Sequence, residues 1–76
     1  MNRNNLNQGS VRAYFDEGIY IGEWDHGRNG SGVFYYYNGE SYSGNWYKNE
    51  KNGKGILKKN DGKEENQVYD FGVLRK

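Results

Sequence analysis

The chain has 76 residues, a formal net charge of +1 and no cysteine. This excludes a disulfide framework and a thiolate metal site, and leaves no strong field to attract nucleic acid. Aromatic residues number 13 of the 76 while aliphatic ones are few, which argues against a helical core and for a thin sheet held by Tyr and Trp.

No apolar run approaches the ~20 residues of a membrane helix. The polar stretch 1–8 is expected to be a disordered or extended lead-in. It lacks the apolar centre of a secretory signal, and the absence of cysteine fits a reducing, cytoplasmic setting. From Ser10 to Phe15 the residues alternate loosely and Glu17-Gly18 closes the stretch. Ile19 to Trp24 is predicted to be a strand with Tyr20, Gly22 and Trp24 on one face, because side chains alternate with period two. Asp25 to Asn29 is rich in turn residues and is predicted to be a loop.

Gly32 to Tyr37 is the return strand, loaded with β-branched and aromatic residues. Asn38-Gly39 predicts a type I′ hairpin turn. Ser41 to Trp46, the loop Tyr47 to Gly53 and the strand Lys54 to Lys59 then repeat the series, and Asn60-Asp61-Gly62 closes it. Glu64 to Asp70 suits an edge strand or a short helix. The apolar residues Val68, Tyr69, Phe71, Val73 and Leu74 are expected to fold back over the last hairpin or to dock on a partner. The fold expected is all-β: a single-layer antiparallel meander of about five or six strands. A repeat sheet over 9–62 is followed by a degenerate capping strand and tail over 63–76.

The recurrence keeps its spacing. Tyr20, Gly22 and Trp24 return, all at one offset, as Tyr42, Gly44 and Trp46. Gly30, Gly32 and Gly39 return as Gly53, Gly55 and Gly62, at an offset longer by a single position. A period of ~20–50 residues marks a repeat architecture. Gly9, Val11 and Gly18 precede Gly30, Gly32 and Gly39 at nearly the same spacing, so the start of the chain reads as the back half of an earlier repeat. Glycine between large rings lets a ring from a neighbouring strand lie flat on the backbone; Gly30, Gly32, Gly53 and Gly55 are expected to play that part on the return strands. Tyr20, Trp24, Tyr42 and Trp46 are therefore read first as architecture.

These residues resemble MORN repeats. The match runs from about Gly9 to Gly62 and is best in the first copy, at Tyr20, Gly22, Glu23, Trp24, Gly27, Gly30, Gly32 and Gly39. The second copy departs at Asn49, where the loop glycine is expected, and by one extra loop residue. The resemblance implies an elongated sheet of hairpins that serves as a scaffold for protein contacts, often in cytoskeletal or ciliary assemblies, with acidic phospholipids proposed as ligands of some members.

Little catalytic chemistry is visible. His26, the single histidine, has only Asp25 beside it and reads as a solvated loop residue. The serines have no nucleophile signature, and the glycines do not open a helix as a phosphate-binding loop requires. The chain is read as a non-enzymatic module without metal or cofactor. Rings left uncovered on a thin sheet, drawn from Phe34, Tyr35, Tyr36, Tyr37, Tyr47, Tyr69 and Phe71, form the candidate face for a protein partner or a second copy. Lys48, Lys51, Lys54, Lys58, Lys59 and Lys63 crowd the second hairpin and form the alternative, a patch for anionic lipid. Lysines also guard sheet edges against aggregation.

Overall fold

The computed structural model describes residues 10–75; the lead-in over 1–8 and Gly9 lie outside them. Seven strands follow one another in a single antiparallel sheet whose spatial order is the sequence order. They are β1 (Val11–Tyr14), β2 (Gly18–Trp24), β3 (Arg28–Tyr36), β4 (Ser41–Tyr47), β5 (Glu50–Lys58), β6 (Glu64–Asp70) and β7 (Val73–Leu74). The sheet is elongated, 41 × 24 × 20 Å. The expected meander is present, with β7 as a strand beyond the expected number.

The hairpins differ from expectation in their turns. β3 begins at Arg28 and β5 at Glu50, so much of the two predicted loops is strand. Asn29-Gly30 and Asn52-Gly53 are not turns: Gly30 (φ 93°) and Gly53 (φ 85°) sit in left-handed bulges inside the return strands, where the register shifts between Gly22 and Trp24 and between Gly44 and Trp46. The Asn38-Gly39 turn is not type I′ either. Only Gly39 is left-handed, the Gly39 N–H donates to the Tyr36 carbonyl at 3.1 Å, and Tyr36 N–H to Glu40 O at 2.8 Å. That is a type I turn followed by a left-handed residue. The Asn38 side chain, accepting from Glu40 N–H at 3.0 Å, holds this shape, and Asp61 does the same for Lys63 at 2.9 Å.

Two-residue turns with both residues left-handed do occur, at Lys48-Asn49 and Phe71-Gly72. The first absorbs the extra residue of the second copy. Trp24 pairs with Arg28 across three residues, whereas Tyr47 pairs with Glu50 across two, so the insertion lengthens the hairpin by one pair. The second joins β6 to β7, and the apolar residues at the end of the chain extend the sheet instead of folding back over it. Phe71 and Val73 remain 59% and 66% exposed.

One face carries the core. Tyr20, Phe34, Tyr42 and Trp46 are buried there, flanked by Ala13, Phe15, Trp24, Tyr36, Leu57 and Tyr69. With no second layer, the rings cover each other. Tyr20 and Tyr42 meet Trp46 edge-on at 5.4 and 5.7 Å, and Tyr69 meets Tyr42 at 5.6 Å, the geometry ring quadrupoles favour. They also rest on bare backbone. A Cβ on Gly32 would strike the Tyr20 ring, and one on Gly55 the Tyr42 ring. Gly22 faces Gly32 and Gly44 faces Gly55 in register, so neither strand holds the other away. Of the four return-strand glycines, Gly32 and Gly55 receive the rings, while Gly30 and Gly53 serve the bulges.

Candidate functional site: a groove of caged cations

The bulges set the register so that each repeat Trp is paired with a cation, Trp24 with Arg28 and Trp46 with Lys51. Both cations lie on the ring face. The Arg28 guanidinium stands 4.5 Å from the Phe15 ring centre and 4.9 Å from Trp46. Lys51 Nζ stands 4.3 Å from Tyr42 and 4.8 Å from Tyr69. These are cation–π distances. Among the described residues neither cation has a carboxylate within 4.0 Å. Burial pulls the Arg28 guanidinium down from its ordinary value and Glu17 opposes the shift; an arginine keeps its charge regardless.

The hairpin tips hold the two cations in line. Asn49 N–H donates to the Arg28 carbonyl at 2.9 Å, and Gly72 N–H to the Lys51 carbonyl at 2.8 Å. Asn49 Oδ1 also accepts the Arg28 N–H at 2.9 Å. This explains the departure at Asn49: asparagine tolerates φ 73° and adds a bond that glycine lacks. Between the cations lies an open groove of about 280 Å³, lined by Arg28, Tyr36, Trp46, Lys51 and Tyr69 with Glu17 and Glu50 at its margin. Burial raises the Tyr36 hydroxyl above its ordinary value, so it stays a neutral donor.

The rings proposed from sequence do not share one surface. Tyr36 and Tyr69 line the groove, and Phe34, 2% exposed, belongs to the core beneath it. Tyr35 projects from the opposite face, Tyr37 lies in a turn, and Tyr47 meets Phe71 edge-on at 5.9 Å beside the hairpin tips. The lysines disperse as well. Lys51 is in the groove, Lys54 and Lys58 flank Ile56 on the opposite face, Lys48 is at one end of β5, and Lys59 and Lys63 bracket the turn at the other. Lys59 pairs with Glu65 at 3.5 Å. His26 is exposed and bonded to Asp25 at 2.7 Å. Among the described residues no three His, Cys, Asp or Glu converge as metal ligands.

Arg28, Glu17 and Glu50 are absent from the sequence-derived candidates. A signal for Arg28 exists, because the offset that carries Gly30 onto Gly53 also carries Arg28 onto Lys51. Assigning Arg28 to a loop hides it.

No curated protein compared with the chain matches it. The MORN repeat family model matches at residues 20–41 and 42–64, the two copies that the glycine and ring spacing defines and that the structure builds as β2·β3 and β4·β5. With those matches spanning more than half of its length, the chain belongs to the MORN repeat family.

Proposed function

We propose that the chain is a non-enzymatic protein-interaction module, a small subunit of a larger cytoplasmic assembly of the cytoskeletal or ciliary kind, and that its contact is the ring-lined groove. One observation carries the reading: two cations with no carboxylate partner among the described residues, held half-buried over rings in an open groove. Rings and arginine are the side chains that dominate binding energy at interfaces. Glu17 and Glu50 beside Arg28 and Lys51 give the groove both signs of charge. A polypeptide answers both signs, whereas a lipid headgroup layer or a nucleic acid presents mainly negative charge.

Cross-linking mass spectrometry from the native source tests the reading. Partner cross-links are expected to concentrate on Lys51 and to fall at least tenfold in an Arg28→Glu/Tyr36→Ser variant that keeps Lys51. Cross-links confined to Lys54 and Lys58 would move the contact to the opposite face and remove the groove from it. Flotation with anionic vesicles is the control. With its lysines spread over two faces and both ends of β5, the chain is expected to stay unbound at moderate salt.

A further inference from the structure

We propose that copies of this chain join head to tail: β1 of one copy pairs antiparallel with the outer edge of β6 of another, and two half repeats become a whole one. This rests on reading the chain as a repeat module in an assembly, and it names one partner as a second copy.

Each complete repeat is a pair of strands. The first carries a ring, Tyr20 or Tyr42, and the second carries the glycine that receives it, Gly32 or Gly55. Among the described residues β1 is a second strand without a first, since Val11, Ala13 and Phe15 stand one repeat before Gly32, Phe34 and Tyr36. β6 is a first strand whose second is only a stub, since Glu65, Gln67 and Tyr69 stand one repeat after Tyr42, Gly44 and Trp46. Both have open edges among the described residues. Among the described residues β1 pairs only with β2. β7 covers β6 only at Tyr69 and Asp70, with Arg75 N–H adding a bond to the Val68 carbonyl. The uncovered run, Glu64 to Gln67, is as long as β1, which has 4 residues.

The register of β2 on β3 fixes how the two would meet. It pairs Gly22, Ile21, Tyr20 and Ile19 with Gly32, Val33, Phe34 and Tyr35. Carried to the junction, it sets Gln67, Asn66, Glu65 and Glu64 opposite Val11, Arg12, Ala13 and Tyr14. The two departures from the repeat pattern then fall together. Val11 has a Cβ where a ring would need glycine, and Glu65 supplies no ring. Each departure, damaging in a complete repeat, is harmless against the other. Charge agrees as well: exposed Arg12 lies diagonal to exposed Glu64 on the face opposite the groove, within reach for a cross-strand pair. Open strand edges are templates for such addition.

Sedimentation velocity over a concentration series tests this with four samples: the 76-residue chain, Arg12→Glu, Glu64→Arg, and an equimolar mixture of the two variants. The unaltered chain is expected to gain mass continuously with concentration, because a head-to-tail contact does not close at two copies. Each variant alone meets its own like charge and is expected to need about tenfold more protein for the same mass. The mixture restores opposite charges at every junction and is expected to recover. Both residues are exposed, and unchanged circular dichroism confirms that the variants fold. A monomer throughout, a plateau at two copies, or variants that associate like the unaltered chain would each overturn the proposal. No groove partner is present, so a monomer that still yields Lys51 cross-links sinks this inference and leaves the groove reading in place.

Discussion

At Gly55 the absent side chain is filled by the ring of Tyr42; at Gly62 nothing lies within 4 Å, and only the backbone, at φ 93°, asks for glycine. Gly55→Ala is therefore expected to cost roughly 3 kcal/mol by overpacking, and Gly62→Ala about 1 kcal/mol by strain, in urea unfolding of the two variants. The two repeat tyrosines also differ. The Tyr20 hydroxyl donates to the Glu23 carbonyl at 2.6 Å, while the Tyr42 hydroxyl is buried without a partner among the described residues. Tyr20→Phe should cost about 1 kcal/mol and Tyr42→Phe nothing or less than nothing, since an unmade buried bond is a penalty removed. Burial, with Tyr69 and Tyr36 adding to it, pushes Tyr42 up to about 12. The folded state then holds a proton that the unfolded chain loses near pH 10. Stability due to Tyr42 is complete below pH 10 and is lost as pH rises toward 12, by about 2 kcal/mol. Absorbance titration near the tyrosinate band, with urea melts at both ends of that window, reads it directly, and Tyr42→Phe should flatten the slope.

Among the elements, the hairpin tips decide more than their length suggests. The Lys48-Asn49 turn needs two left-handed residues and also bonds to Arg28. Asn49→Gly keeps the backbone and loses the side-chain bond, for about 1 kcal/mol. Asn49→Ala loses the bond and adds the strain, for roughly 2–3 kcal/mol. Thermal unfolding should rank them in that order. If alanine proves no worse than glycine, the turn is not held in the left-handed shape. The bulges at Gly30 and Gly53 act through register: each lets the return strand present a cation opposite the repeat Trp. In the first copy the Glu23 carboxylate also accepts the Ser31 N–H at 2.8 Å, pinning that bulge; Asn45 stands at this place in the second copy.

For the whole molecule, a sheet with one ring-covered face and, among the described residues, two open edges is marginal by itself. So small a chain gains little net stability from burial. If copies associate through β1 and β6, mass action predicts a melting temperature that rises with concentration for the unaltered chain and rises less for Arg12→Glu. Calorimetry at two concentrations tenfold apart checks this.

The rows of rings and glycines are open to sequence reading because they are local statements. Tyr20, Gly22 and Trp24 alternate within one strand, and the offset to Tyr42, Gly44 and Trp46 makes the repeat visible without coordinates. Chain order then yields the meander, since sequential antiparallel strands are neighbours. The turn at Asn38-Gly39 escapes that reading because its shape depends on where the Asn38 side chain bonds, and Gly30 because bulge and turn ask for the same residue types. The groove is hidden for a larger reason. Arg28 meets Phe15, just past the end of β1, and Trp46 of β4, and Lys51 meets Tyr42 of β4 and Tyr69 of β6. Which ring a cation meets on a neighbouring strand follows from the register of that pairing, bulges included, so only the assembled sheet decides which cation rests on which ring.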